Sequence, residues 1–160
     1  METPDQTQPA LTSPVHNPAP EPAIDDARLV EEIFECTASQ SEDWTAAVFE
    51  RFFQRCPDAV SHFRLAPEGS NQPPQGCGQM LFEATCLVMD SANGLPYVDA
   101  YVQQIVSEHA AFDVTETALY AEFFSAMRDE LMQLIGDDWT DARAAAWDRQ
   151  ISALIARGFQ

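Results

Sequence analysis

The chain contains no lysine. Its eight basic residues are all arginine, against 26 Asp and Glu, giving a formal net charge of −18 and an isoelectric point near 4.1. Such a surface releases no counterions from a phosphate backbone and has little to hold an anionic bilayer. Nucleic acid and acidic membranes are therefore excluded as partners. No apolar run approaches the roughly 20 residues needed to span a bilayer. No basic start and apolar stretch precede Ile24, so the expected setting is cytoplasmic. Cysteine is scarce: Cys36, Cys56, Cys77 and Cys86 form no CxxC, and no HxxxH or HExxH is present. That pattern argues against zinc and, in the cytosol, for reduced thiols. The six glycines are scattered, with no phosphate-cradling loop among them. Histidine occurs three times, as His16, His62 and His109, so metal or acid–base chemistry has few places to sit. Nothing selects one cysteine as partner of a histidine for nucleophilic catalysis. A carboxylate pair carries no signal where 26 acids crowd the surface.

What the chain does have is enough apolar material for one domain: 46% of 160 residues are hydrophobic. Residues 1–24 hold six of the eleven prolines and few bulky apolar groups, which predicts a disordered tail ahead of a folded domain over 25–160. Asp25 and Asp26 can charge the start of a first helix, with Leu29, Ile33 and Phe34 at helical spacing. A second helix is expected from about Ser41 to Arg55, carrying Val48, Phe49, Phe52 and Phe53. A short turn then starts at Pro57 and ends at Phe63. The Pro- and Gly-rich stretch 66–76 reads as a loop. Cys77, Leu81, Ala84 and Val88 define a third helix over about 76–92, stopped at Asn93-Gly94. Pro96 opens a fourth to about 110, with Val98, Val102, Ile105, His109 and Phe112 as its stripe. Asp113 or Thr115 would cap a fifth reaching Ile135, and Thr140 or Asp141 a sixth with Ala144, Trp147, Ile151 and Leu154 inward. No segment alternates with period two, so the class is all-α. A histidine inside an apolar stripe can ligate a transition metal through neutral imidazole, although the same pattern also suits a packed core residue.

Three segments taken in order, VFERFFQRCPDAVSHF, MLFEATCLVMDSANGLPYVDAYVQQIVSEHAAF and LIGDDWTDARAAAWDRQISALIARGF, resemble a globin. The likeness is to the bacterial single-domain haemoglobins and the globin half of flavohaemoglobins, and covers roughly 25–160. It implies the globin fold, helices packed around a haem pocket, with haem b (iron protoporphyrin IX) as cofactor and a diatomic gas, oxygen, NO or CO, as ligand. The roles it suggests are oxygen binding or transport, sensing, or NO scavenging. By position, His109 would ligate the iron, with its other ring nitrogen bonded to a backbone carbonyl one turn earlier, near Ile105. Phe63 would stack on the porphyrin, and Phe49, Leu81, Val102, Ile105, Phe112 and Leu119 would complete the apolar wall. Gly78 would let the third helix cross the second closely, facing Thr45.

The chain also departs from that pattern. Cys77 stands where Gln or His usually faces the gas, and Phe49 where flavohaemoglobins place a tyrosine. Leu119 stands where a tyrosine supports the proximal histidine, with Tyr120 one residue on. Phe and Leu donate no hydrogen bond and a thiol donates weakly, so weak oxygen retention is expected. Gln75 or Gln79 would change that if the loop shifts register, and Cys77 is either a thiolate ligand or an apolar filler. No reductase sequence accompanies the globin-like part, so NO dioxygenase activity would need a separate reductase. The alternative from another class is a haem-less globin-fold sensor or interaction module, with His109 as core. The oligomeric state is left open.

Overall fold

The computed structural model describes residues 24–63 and 72–159. The Pro-rich segment, all but its last residue, lies outside these, as do His16 and the first part of the loop 66–76. Among the described residues there are six α-helices, two short 3₁₀ turns and no β-strand.

Helix α1, Ile24–Gln40, begins with the two aspartates expected at its start and buries Val30 and Ile33. Helix α2 runs Thr45–Arg55 and starts later than expected. Its N-cap position is Trp44; just ahead of it the Asp43 carboxylate accepts from the Thr45 amide at 2.9 Å, while the Ser41 hydroxyl donates to the Asp43 carbonyl at 3.0 Å. A 3₁₀ turn over Pro57–His62 follows, with proline at its start. Helix α3, Cys77–Ala92, is entered through Gly76 at φ +93°, a left-handed conformation that glycine adopts without a Cβ penalty. Helix α4 spans Val98–Ala110 and helix α5 spans Ala118–Ile135. The later start of α5 has a local cause. Asp113 sits at φ +61°, outside the extended conformation of an N-cap, so the chain makes an irregular corner before the helix can begin. Helix α6, Asp141–Gly158, is capped by the Thr140 hydroxyl, which accepts from the Arg143 amide at 3.3 Å.

Helix α1 packs on α6, α5 and α3; α2 packs on α5 and α3; α4 packs on α6 and α3. Trp147, Phe49, Leu131, Met127 and Val102 are fully buried where these layers meet. Burial of each such side chain contributes about 1.5–3 kcal/mol. Helices α4 and α6 touch through Gly158, where a Cβ would lie 2.8 Å from Val102 Cγ1 and 2.6 Å from Gln103 Nε2. The expected small-residue crossing at Gly78 is not there: Gly78 is exposed, a Cβ on it would meet nothing within 4 Å, and Thr45 is buried without facing it closely.

One polar cluster is buried between α1, α3 and α6. Asp26, 3% exposed, accepts from Arg149 at 2.6 and 2.9 Å and from the Gln150 amide at 3.2 Å. Gln150 in turn accepts from Ser91 at 3.1 Å, and Ser91 from Arg157 at 3.2 Å. The Arg149 guanidinium holds the Asp26 carboxyl below the ordinary carboxylate range against the cost of burial. No described helix is long and apolar enough to cross a membrane.

Candidate functional site

A cavity of about 340 Å³ opens between α3, the end of α4, the first turns of α5 and the Pro57–His62 turn. Its wall is largely aromatic and aliphatic: Phe52, Ala59, Phe63, Met80, Phe112, Val114, Leu119 and Phe123. The polar side chains on it are His62, Gln75, His109 and Tyr120. Phe63 is fixed from behind by edge-on contacts with Phe49 and Phe53, at ring-centroid separations of 5.7 and 5.3 Å. Phe112 is 73% exposed at the mouth.

His109 occupies the last turn of α4, half-buried, with Nδ1 2.8 Å from the Ile105 carbonyl. A carbonyl only accepts, so Nδ1 carries the proton and the neutral ring keeps its lone pair on Nε2. The partner is the carbonyl one turn before the histidine, at Ile105, as expected from sequence. Tyr120 meets the His109 ring edge-on at 5.6 Å and stacks on Phe159 at 4.3 Å. Its hydroxyl is buried with no hydrogen-bond partner among the described residues, and burial raises its pKa.

The family profile of Globin matches residues 46–157, which spans α2 to α6 and the whole of this cavity. The chain belongs to the globin family. Membership points to a haem-binding, gas-binding protein, and it accounts for an apolar cavity with an imidazole on its wall.

The globin's wall differs in detail from the one sequence suggests. Phe63, His109, Phe112 and Leu119 lie on the cavity. Ile105 lies beside it, on a smaller void of about 60 Å³ shared with His109 and Tyr120. Phe49, Cys77, Leu81 and Val102 do not reach the wall; they are 1%, 0%, 3% and 0% exposed within the core. On α3 the cause is rotational phase. Gly76 and Met80 share the cavity face, while Cys77 and Leu81, one residue on and so about 100° around the helix, face the interior. Gln75 lines the cavity, whereas Gln79 is exposed and donates to Glu83 at 2.7 Å. Desolvation pushes the Cys77 thiol up to about 12. At neutral pH it is a protonated apolar filler.

Phe52, Ala59, His62, Gly76, Met80, Val114, Tyr120 and Phe123 also lie on the wall, beyond the residues expected there from sequence. Phe123 was legible, since it falls one helical turn after Leu119 and Tyr120. His62 was not, because a polar residue ending a short turn reads as surface.

Proposed function

We propose that this globin binds haem b, that His109 Nε2 would ligate its iron, and that a diatomic gas is the ligand the bound haem would take. The observation that carries the reading is the 2.8 Å contact between His109 Nδ1 and the Ile105 carbonyl, which sets the tautomer and leaves Nε2 as the ring's lone-pair donor on an apolar wall. The residues fit a porphyrin: a flat apolar group requires aromatic and aliphatic walls, an imidazole for the metal and an open edge for its carboxylates. The cavity supplies Phe63, Met80, Leu119 and Phe123, then His109, then an open mouth at His62 and Phe112. Held there, the haem supplies reversible ligation of a small neutral gas; the protein holds the ring, orients the imidazole and keeps bulk water off the apolar face. None of Cys36, Cys56, Cys77 and Cys86 lies in a CxxCH, which supports a non-covalently held b-type haem. All four are free thiols, in keeping with a cytoplasmic setting.

Gln75 is the amide on the cavity and takes over as candidate partner of the gas from Phe49, Cys77 and Leu81. It is solvent-exposed, so its hydrogen bond competes with water, and oxygen retention is expected to be weak. Such a site suits oxygen transport, sensing or NO scavenging alike. The last also needs an electron donor.

Absorption spectra of the purified, reduced and CO-treated protein test the proposal. A sharp Soret band that shifts with CO is expected. His109→Ala should lose the haem or require added imidazole to restore it. A colourless protein that takes up no haemin on reconstitution would sink the proposal in favour of a haem-less module, and His109→Ala with full occupancy and an unchanged spectrum would reassign the ligand.

A further inference from the structure

We infer that His62 is the polar anchor for the carboxylate edge of the porphyrin, an assignment that rests on the haem reading above. Protoporphyrin IX carries two carboxylates that must leave the apolar cavity at its open edge. In this protein they emerge onto an acid-rich surface with almost no free positive charge. Seven of the eight arginines are described, and each is already engaged with a carboxylate: Arg28 and Arg143 with Glu32, Arg51 with Glu130, Arg55 with Asp129 and Glu122, Arg128 with Asp148, Arg149 with Asp26, and Arg157 with Asp99. There is no lysine to take their place.

His62 is different. It is exposed, makes no hydrogen bond or ion pair with any described residue, and lines the haem cavity beside Phe63. It also lines an adjoining polar cleft of about 320 Å³, whose wall includes Asp58, Asp113 and Glu116 together with Arg55, the last already paired with Asp129 and Glu122. Those three carboxylates repel a porphyrin carboxylate, so the cleft alone gives it no welcome. His109, the other histidine on the cavity, has its Nδ1 committed to Ile105, and Tyr120 is a buried phenol. Among the described residues, His62 is thus the free ring N–H donor at the mouth.

The test compares haemin with its dimethyl ester, which has the same ring and metal but no carboxylate charge. Dissociation into excess haem-scavenging apoprotein is followed by the Soret band at low and high salt, for the wild type, His62→Leu and His62→Arg. An exposed charged pair predicts that His62→Leu releases haemin about two- to fivefold faster at low salt, with the difference shrinking at roughly 0.5 M salt. His62→Arg should restore slow release, and the ester should leave all three proteins at one rate. Equal release of haemin from wild type and His62→Leu would overturn the assignment. So would an equal acceleration for haemin and ester, which would mean a disturbed Phe63 and not a lost charge. Arg64, outside the described residues, provides the remaining control: if Arg64→Ala reproduces the salt-dependent loss and His62→Leu does not, the anchor is Arg64. In each of these cases haemin still binds, so the haem reading survives; a wild-type protein that takes up neither porphyrin overturns both.

Discussion

Cys77 shows how far one residue's reading depends on helical phase. Its type and place in the chain put it against the gas, and both hold true of the sequence. A turn of about 100° on α3 moves it from the cavity into the interior, where it is fully buried in the apolar core. Reaction of the folded protein with a small thiol reagent should therefore modify Cys36, Cys56 and Cys86, which are partly exposed, well before Cys77. Mass mapping of the labelled cysteines checks this; early modification of Cys77 would place it on accessible surface. Cys77→Gln, which would supply an oxygen-stabilising amide if the side chain faced the cavity, should instead overpack the core at a cost of about 1–3 kcal/mol. His109 and Phe63, by contrast, were legible from sequence because each is anchored by a local landmark: the end of an apolar stripe and the end of a proline-started turn. Gln75, Gly76 and Met80 had no such landmark, since the loop before them offers no periodicity to phase them.

At the scale of elements, the apolar stripes located all six helices, but their starts were less legible. Start positions depend on single hydrogen bonds and dihedrals: the bond from the Thr45 amide to Asp43 for α2, and the left-handed Asp113 ahead of α5. The two glycines at helix contacts make the same point in reverse. Gly78 is the crossing point the resemblance implies and is open; Gly158 carries no sequence signal and is where α6 meets α4. Val102 is β-branched and stiff, so it cannot yield to a new methyl group. Gly158→Ala should destabilise by about 1–3 kcal/mol, while Gly78→Ala, on an exposed helical position, should be neutral or stabilise by up to about 1 kcal/mol. Thermal melts followed by circular dichroism separate the two; equal melting temperatures for both variants would contradict the close approach.

For the whole molecule, the buried cluster at Asp26 ties stability to pH. The folded-state pKa of Asp26 is lowered, so its contribution is fully present above the ordinary carboxylate range and is lost as pH falls through and below that range. Asp26→Asn leaves Arg149 without its partner and should cost about 1–3 kcal/mol near neutral pH. Urea melts of both proteins at pH 6 and at about pH 3.5 should show the wild type's advantage shrinking in acid. An advantage that stays constant or grows would mean that Asp26 is not held ionised by Arg149.

The contact between Asp26 and Arg149 also has a consequence for the order of folding. It joins residues 123 positions apart, bringing α1 at one end of the described chain onto α6 at the other. Closing so long a loop is entropically costly, and the shorter-range contacts of α2 with the Pro57–His62 turn carry no such cost. The α1–α6 seam should therefore form after the barrier to folding has been crossed. In stopped-flow experiments, Asp26→Asn should raise the unfolding rate by nearly its full stability loss and leave the refolding rate almost unchanged.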